Sequence, residues 1–329
     1  MKKIIHLLCL LGSLFFVPIF AQTSTGEEIK NLKARAEQGD VDAQFNLGVT
    51  YAQGLGVERN YQQAIKWYTK AAEQGNTKAQ FNLGSMYGNS DGVEKNIQTK
   101  IKWYTKAAEL GDINAQYNLG FMYYHGKGVR KNVKTAVKWY TKAAEQGDAE
   151  AQYRLSLIYY LGTDIEKNDK TAAQWCSKSA EQGYIDAQYN LGLMYRKGIG
   201  VKKNIHTAIT WYSKAAEQGD AMAQLTLGLI YRRGDGVEQD VKTAVKWYTK
   251  AAKQGQANAQ QLLGLMYEKG MGVRKNHIIA YAWINAAAKN GNKLAFNNLQ
   301  DLEGKMTPEQ IAKAKKINPL RSDFTSLEK

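Results

Sequence analysis

The sequence predicts an all-α solenoid in which each repeat is a pair of helices. Seven tryptophans are each 36 residues from the next, at Trp67, Trp103, Trp139, Trp175, Trp211, Trp247 and Trp283. Glycines keep the same step, at Gly39, Gly75, Gly111, Gly147, Gly183, Gly219, Gly255 and Gly291. A strict period of this length indicates a solenoid, because one short unit cannot bury its own apolar face and must stack on its neighbours.

Capping and turn residues divide each repeat into a first helix, the A helix, and a second, the B helix. Residues that suit the N-cap of an A helix are Asp40, Asn76, Asp112, Asp148 and Asp220. Those that suit the N-cap of a B helix are Asn60, Asn96, Asn132, Asn168, Asn204, Asp240 and Asn276. Gly-x-Gly-Val, as at residues 54–57, joins the two, since glycine permits left-handed backbone angles. In the first repeat this predicts an A helix over about 41–53 and a B helix over about 61–74.

The apolar side chains of each helix fall on one face. On the first A helix, Ala43, Leu47 and Tyr51 are spaced by four residues and so share a face. On the first B helix, Trp67 and Tyr68 lie among alanines. We expect these columns, meaning sets of equivalent positions 36 residues apart, to form the core. The small side chains among them would let the helices approach closely.

One pattern recurs in phase seven times: A-Q-x-x-L-G-x-x-Y-x-x-G-x-G-V, then Asn, then A-x-x-W-Y-x-K-A-A-E-Q-G. This pattern resembles the Sel1-like repeats of the exported bacterial type, which are related to tetratricopeptide repeats. Seven full repeats of 36 residues cover residues 40–291. The resemblance implies a right-handed superhelical α/α solenoid of antiparallel helix pairs. It also implies that the A helices line the concave side, and that the protein is a protein-binding scaffold.

Residues 1–21 have the features of a secretory signal peptide. Lys2 and Lys3 precede an apolar run over residues 4–17, and a small residue, Ala21, ends a plausible cleavage site. The run is short for a membrane span, and no stop-transfer segment follows it, so a retained anchor is the weaker alternative. We therefore expect a periplasmic or secreted protein with no membrane span in the mature chain.

The two ends of the repeat array have features of capping helices. Residues 22–39 repeat the end of a B helix in more polar form, which suits an N-terminal capping helix. Residues 292–329 contain C-terminal capping helices and a tail. There, Thr307 and Gln310 match a capping box around a first-turn proline and predict a helix to about Ile317.

The chain is basic, with a formal net charge of +15. Many lysines form a B-helix column, namely Lys70, Lys106, Lys142, Lys178, Lys214 and Lys250. We expect this column to lie away from the tryptophans on a solvated outer face, although attraction to anionic lipids, glycans or proteins is an alternative. The export signal argues against nucleic acid as a partner.

No catalytic motif is evident. His125, His206 and His277 belong to three different columns, without an H-E-x-x-H motif or a ligand-spaced cluster. Cys176 is the only cysteine left after signal cleavage, so we interpret it as a small buried residue. We therefore expect no metal, no cofactor and no enzyme activity. The absence of cysteine pairs also separates the chain from the disulfide-rich Sel1-like proteins of the Hcp type.

The other side of the A helices is the predicted partner-binding face. Side chains two positions along from the packing column point about 200° away from it. Aromatic and arginine side chains, which most often anchor interfaces, occur there and at the ends of the A helices. The predicted binding residues are Tyr117, Phe121, Tyr124, Tyr153, Tyr160, Tyr189, Arg196, Arg232 and Arg233. The alternative is that the aromatic residues wedge between adjacent A helices as part of the packing.

Two repeats depart from the pattern. The second has Ser90 in place of a glycine and Lys100 in place of a core alanine, so we expect its two helices to pack more loosely. The fourth has Ser156, Asp164 and Cys176 where Gly, Gly and Tyr are usual. These changes could make the middle of the array flexible, create a site there, or reflect drift.

Together these observations predict a non-catalytic, exported scaffold that holds one or more protein or peptide partners on its concave face. Envelope processes or contact with host proteins would both suit such a scaffold. Two alternatives belong to other classes. One is a β-lactam- or peptidoglycan-directed hydrolase of the Hcp type, and the other is a lysine-driven binder of anionic surface polymers.

Overall fold

The computed structural model describes residues 26–89 and 91–320. The predicted signal peptide, Ser90 and residues 321–329 lie outside the described residues. The described residues form seventeen α-helices and no β-strand, which confirms the all-α class. The helices are α1 Gly26–Glu37, α2 Val41–Gln53, α3 Tyr61–Glu73, α4 Thr77–Asn89, α5 Ile97–Glu109, α6 Ile113–His125, α7 Val133–Glu145, α8 Ala149–Leu161, α9 Asp169–Glu181, α10 Ile185–Lys197, α11 Ile205–Glu217, α12 Ala221–Arg233, α13 Val241–Lys253, α14 Ala257–Lys269, α15 His277–Lys289, α16 Lys293–Glu303 and α17 Pro308–Lys315.

The chain divides into two units, the first ending at Glu166 and the second beginning at Lys167. The first unit contains α1 to α8, and each of these helices packs against the next. The second contains α9 to α17, in which each helix up to α16 packs against the next and α17 packs against α15. The even-numbered helices from α2 to α14 are the predicted A helices, and the odd-numbered helices from α3 to α15 are the B helices.

The capping residues act as predicted. Asp40 accepts a hydrogen bond from the backbone N–H of Ala43 at 2.9 Å, and Asn60 accepts one from that of Gln63 at 3.0 Å. Gly54 ends α2 in the left-handed conformation with φ of 74°. These interactions satisfy backbone groups that a helix end leaves unpaired. The bounds predicted for the first repeat are therefore correct to within one residue.

Close packing of a B-helix tyrosine against an A-helix glycine sets the distance between the helices of a pair. A Cβ added to Gly228 would lie 2.5 Å from both Cδ1 and Cε1 of Tyr248, closer than any side chain tolerates. The pairs with this contact are Gly48 with Tyr68, Gly84 with Tyr104, Gly120 with Tyr140, Gly192 with Tyr212, and Gly228 with Tyr248. The prediction that small residues permit close approach is confirmed.

A buried glutamine amide connects each repeat to the one before it. The Gln44 Nε2 donates to the backbone oxygen of Ala36 at 3.1 Å, and its Oε1 accepts from Gln74 Nε2 at 2.8 Å. We call this arrangement the glutamine node: it joins an A helix to the end of the preceding helix and to the end of its own B helix. Equivalent nodes form at Gln116, Gln188, Gln224 and Gln260.

The second repeat has an incomplete glutamine node. Gln80 Nε2 donates to the backbone oxygen of Ala72 at 2.9 Å, but Gln80 Oε1 is buried without a partner among the described residues. The residue equivalent to Gln74 is Leu110, which cannot donate a hydrogen bond and is 58% exposed. A buried polar atom without a partner costs free energy. The node at Gln80 therefore contributes less to the stability of the fold than the complete nodes do.

The tryptophans and lysines of the B helices are arranged differently from the prediction. Trp67, Trp103, Trp139 and Trp283 are buried, but Trp175, Trp211 and Trp247 are only half-buried. The lysine three residues after each of the first six tryptophans places its Nζ between 4.2 and 4.9 Å from the centre of the indole rings. The expectation that this lysine column points away from the tryptophans is wrong. An i,i+3 spacing puts both side chains on one helix face, where a cation is attracted to the ring.

A neighbouring glycine accommodates Lys100, the unusual residue on the B helix of the second repeat. Lys100 extends across Gly88, whose added Cβ would lie 2.6 Å from the lysine Cδ. Burial, together with the positive charges of Lys95 and Lys127, lowers the pKa of Lys100. The glycine therefore makes room for the aliphatic part of a lysine that replaces a core alanine.

The departures of the fourth repeat include two small buried residues and a strained turn. Ser156 is buried on α8, and Cys176 is buried on α9, where its thiol donates to the backbone oxygen of Ala187 at 3.3 Å. The interpretation of Cys176 as a buried residue is confirmed. Asp164 has φ of 63°, in the left-handed region that the usual glycine adopts without strain.

The end of the array has the predicted capping box. The Thr307 side chain accepts from the Gln310 N–H at 3.2 Å, and the Gln310 side chain accepts from the Thr307 N–H at 3.0 Å. Pro308 occupies the first helical turn, where its missing N–H is not needed. The α17 helix that follows ends at Lys315 and packs against α15.

The glycine–tyrosine contact predicts that the two positions are coupled. Gly228→Ser should lower the free energy of unfolding by about 1–3 kcal/mol, because the new side chain collides with the Tyr248 ring. In a Tyr248→Cys background the same change should cost less, because the ring is gone. Urea denaturation of the two single variants and the double variant measures this coupling. Strictly additive losses would contradict it.

The incomplete glutamine node predicts a stabilising substitution. Leu110→Gln should raise the free energy of unfolding by about 1 kcal/mol, because the new amide can donate to the buried Gln80 Oε1. Leu110→Glu is the matched control, since it has a similar length but no N–H to donate. Chemical denaturation should show a gain for the first variant alone. An equal gain for both would show that the node is not responsible.

Candidate binding face

The predicted binding residues lie on four A helices. In the first unit these are Tyr117, Phe121 and Tyr124 on α6, and Tyr153 and Tyr160 on α8. In the second unit they are Tyr189 and Arg196 on α10, and Arg232 and Arg233 on α12. We use the term A-helix face for the surface that these columns form within each unit.

Three of the predicted tyrosines pack inward to different extents. Tyr117 is half-buried, and the centre of its ring is 5.6 Å from that of Tyr140. Tyr189 is also half-buried, 5.6 Å from Tyr212. Tyr153 is 9% exposed and therefore has little surface to offer a partner. These three tyrosines therefore pack inward, Tyr117 and Tyr189 against B-helix tyrosines, and only part of their surface is available to a partner.

An aromatic and basic cluster ends α6 in the first unit. The Phe121 ring lies 4.4 Å from the His125 ring, and Tyr124 lies 4.9 Å from His125. Lys127 Nζ is 5.0 Å from the centre of the Phe121 ring. Burial, and then the charges of Lys127, Arg154 and Lys131, lower the pKa of His125. The local potential here is therefore positive.

An ion pair occupies the neighbouring part of the same unit. Arg154 Nη2 donates to Glu150 Oε1 at 2.7 Å, and the Tyr117 hydroxyl donates to the same carboxylate oxygen. Arg154 replaces the asparagine that is common in this column. Its positive charge is thus already matched within the protein.

The arginines of the second unit have no such partner. Arg196 and Arg232 are half-buried and Arg233 is exposed, and none of the three forms an ion pair within the part of the chain that the structure describes. The charges of Arg196 and Arg232 favour the phenolate forms of Tyr212 and Tyr248, respectively. Burial nevertheless raises the pKa of Tyr248 to about 12, so both tyrosines stay neutral at physiological pH.

The hydroxyls of the B-helix tyrosines differ between repeats. The Tyr104 hydroxyl shares a hydrogen bond of 2.9 Å with the Ser85 hydroxyl on the A helix of its own repeat. In the first, third, fifth and sixth repeats that A-helix column has no serine, and the hydroxyls of Tyr68, Tyr140, Tyr212 and Tyr248 are buried without a partner among residues 26–89 and 91–320. The sequence pattern predicts that these tyrosines belong to the core and indicates no role for their hydroxyls. The glycine that recurs on the A helices was the signal that a tyrosine ring packs across such a helix.

The described residues offer little for catalysis or metal binding. His125, His206 and His277 lie on α6, α11 and α15. Within residues 26–89 and 91–320, no three His, Cys, Asp or Glu side chains are placed to hold a metal ion. In the same residues, no helix has the length and apolar composition needed to cross a membrane.

The stacked helix pairs and the repeated caps, glycines and glutamine nodes define a helical-repeat scaffold. The model of the Sel1 repeat matches residues 41–76, 77–112, 113–148, 149–184, 185–220, 221–256 and 257–292. The chain belongs to the Sel1 repeat family, as its pattern predicted. Members of this family are generally non-catalytic scaffolds for protein–protein interaction.

Solved structures of the same family are similar over most of the chain. A Sel1 repeat protein from Oxalobacter formigenes is 38% identical, with 84% of this chain and 80% of that one covered and a TM-score of 0.69. The protein c5321, a protective antigen of uropathogenic Escherichia coli strains, is 37% identical, with 88% of this chain and 70% of that one covered and a TM-score of 0.57.

A short stretch of the chain is also similar in sequence to a viral protein. A Sel1-like repeat-containing protein, L18, of Acanthamoeba polyphaga mimivirus is 48% identical over 42 residues, which are 13% of this chain and 7% of that protein.

The positive cluster at the end of α6 predicts the direction of a pH effect. Because the folded state lowers the pKa of His125, the unfolded chain takes up this proton first, near its pKa of about 6.5. The contribution of His125 to stability should therefore fall as the pH drops through that value. Lys127→Gln should raise the pKa of His125 in an NMR titration, because it removes a nearby positive charge. Lys214→Gln on α11 is the control and should leave it unchanged; equal shifts would contradict a local effect.

Proposed function

We propose that this protein is a non-catalytic, exported scaffold that binds protein or peptide partners on its A-helix face. The observation that carries the proposal is the chemistry of this face in the second unit. Arg196 and Arg232 present guanidinium groups without an acidic partner among the described residues. Each follows by one helical turn a glycine that packs against a tyrosine ring, Gly192 against Tyr212 and Gly228 against Tyr248. Arginine and tyrosine are the side chains most often found to anchor protein interfaces.

The B-helix surface supports the proposal by contrast. Its lysines lie over tryptophan rings, so their charges are partly engaged within the protein. The arginines of the A-helix face have no such contact with an indole ring among the described residues. A partner with acidic groups would therefore favour the A-helix face, where the arginines do not contact an indole ring of the described residues.

Export is supported by the sequence and by one similar protein. Residues 1–21 have the positive start, apolar run and small terminal residue of a signal peptide. The similar Escherichia coli protein c5321 is described as a protective antigen, which suits a protein accessible outside the cytoplasm. The location that we propose is the periplasm or the cell exterior, with a role in envelope processes or host contact.

The hydrolase alternative finds no supporting group of side chains among the described residues. Catalysis of this kind would need a nucleophile or metal beside a general base. The buried thiol of Cys176 donates to a backbone carbonyl and lies on α9, whereas the three histidines lie on other helices. We therefore favour binding without turnover.

Partner capture with matched variants tests the proposal. Tagged protein is cross-linked in the native envelope fraction and the culture medium, and the captured proteins are identified by mass spectrometry. Arg196→Glu with Arg232→Glu should lose a partner that the parent captures, because it reverses two charges of the A-helix face. Lys214→Glu with Lys250→Glu makes the same change in net charge on the B helices of the same repeats and should keep the partner.

Circular dichroism must show that both double variants keep the helicity of the parent. The mass of the recovered protein also tests removal of residues 1–21. If both double variants capture the same proteins as the parent, the A-helix face is not the binding surface. If the protein retains residues 1–21 and stays in the cytoplasm, the proposal of export is wrong. That outcome does not contradict the proposal of partner binding at the A-helix face.

A further inference from the structure

Two arginine–tyrosine pairs occur one repeat apart in the second unit. In the first, the Tyr212 ring of α11 packs against Gly192 of α10, and Arg196 follows that glycine by one helical turn on the same helix. In the second, the Tyr248 ring of α13 packs against Gly228 of α12, and Arg232 follows by one turn. The helices α10 to α13 pack consecutively. The same chemistry is therefore presented twice on the A-helix face of one unit.

Each pair contains an unsatisfied hydroxyl. Tyr212 and Tyr248 are both 0% exposed, and their hydroxyls have no hydrogen-bond partner among the described residues. Ser85 fulfils this role for Tyr104 in the second repeat, whereas Leu193 and Leu229 occupy the equivalent positions here. A buried O–H without an acceptor lowers the stability of the free protein. An oxygen atom from a ligand would supply the missing acceptor.

Each pair also contains a guanidinium group without a matching carboxylate. Arg154 in the first unit shows the alternative, because it is paired with Glu150 at 2.7 Å. No ion pair involves Arg196 or Arg232 within residues 167–320, and both side chains are half-buried. Partial burial weakens the screening of a charge by salt. The planar guanidinium is suited to a carboxylate, which can accept two parallel hydrogen bonds from it.

The backbone near the second pair is held in place. The Gln239 side chain donates to the backbone oxygen of Arg232 at 2.7 Å, and Gly234 caps α12 in the left-handed conformation. The Gly228–Tyr248 contact fixes the tyrosine ring against the same helix. The arginine is therefore presented from a fixed helix end, which lowers the entropy that binding must overcome.

We propose that these pairs are two carboxylate-binding subsites, and that the second unit takes an extended peptide with acidic side chains. In each subsite the arginine attracts the carboxylate, and movement of this long side chain toward the ligand lets the tyrosine hydroxyl donate to one oxygen. The inference rests on the proposed function, because it names the chemistry of the partner at the same face. Leu193 and Leu229 are half-buried and hold the positions equivalent to Ser85, so they would contact the apolar parts of the peptide.

A peptide of alternating Glu and Ala, labelled with fluorescein, is the probe, and the same peptide with Gln for Glu is its neutral control. Fluorescence anisotropy with the full mature protein should show much tighter binding of the Glu peptide. Arg196→Gln with Arg232→Gln should weaken that binding by about tenfold or more, since charge-assisted bonds are lost at both subsites. Lys214→Gln with Lys250→Gln removes the same charge from the B helices and should change binding by less than about twofold.

The tyrosines provide a second test with opposite effects on stability and binding. Tyr212→Phe with Tyr248→Phe keeps both rings and removes both hydroxyls. This variant should melt at a higher temperature than the parent, because two unsatisfied groups are gone, yet bind the Glu peptide about threefold more weakly or worse. A purely structural role for the tyrosines would change melting without changing binding.

Several outcomes would overturn the inference. Equal binding of the Glu and Gln peptides by the parent, or no binding of either, would exclude carboxylate recognition. An equal loss in the arginine and lysine variants would show a general charge effect without subsites. If the peptide fails but partner capture still depends on Arg196 and Arg232, the carboxylate chemistry alone is wrong. If capture is also unaffected, the proposed function is wrong as well.

Discussion

A buried glutamine amide is the contact on which the stacking of this protein depends. Gln44, Gln116, Gln188, Gln224 and Gln260 bond both to the end of the preceding helix and to the end of the B helix of the same repeat, whereas Gln80 makes only the first bond among the described residues. A buried amide must find such partners, because burying it unpaired is unfavourable. The two bonds together therefore favour the register of the two helices that the structure shows. Within that register the A-helix glycine faces the B-helix tyrosine, as Gly228 faces Tyr248, and the spacing of the pair follows.

The same packing brings chemistry to the A-helix face. A tyrosine ring that packs against the A-helix glycine brings its hydroxyl to the A-helix residue after that glycine, as Tyr104 packs against Gly84 and meets Ser85. Where Ser85 is present the hydroxyl is satisfied, and where Arg196 or Arg232 is nearby it is not. In the function that we propose, the core and the binding face are not separate layers, since one buried side chain, such as Tyr212, would contribute to both. A stable framework can hold unsatisfied groups of this kind, which are common where proteins bind ligands.

Features that depend on neighbouring residues in the sequence were predictable. The N-cap at Asp40 and the turn glycine at Gly54 could be placed because caps and turns are local. The glutamine node could not, because Gln44 has an ordinary polar side chain until the partner 30 residues later, Gln74, is brought beside it. The lysines were misplaced although the sequence contained the signal, because Lys214 follows Trp211 by three residues and that spacing puts both side chains on one helix face. On the candidate face, the arginines could be predicted from their residue type and their position on the A helix. The tyrosine hydroxyls could not, because their location depends on how the two helices of a repeat pack.

The fourth repeat shows what this packing means for the history of such arrays. Tandem repeats of nearly equal sequence can exchange segments by recombination, and most exchanges here would join an A helix bearing Gly to a B helix bearing Tyr. The fourth repeat carries Ser156 and Cys176 instead. A crossover between these two residues would produce one hybrid with Ser facing Tyr, the collision that the 2.5 Å distance at Gly228 makes costly. An exchange that places a serine opposite such a tyrosine ring is therefore disfavoured.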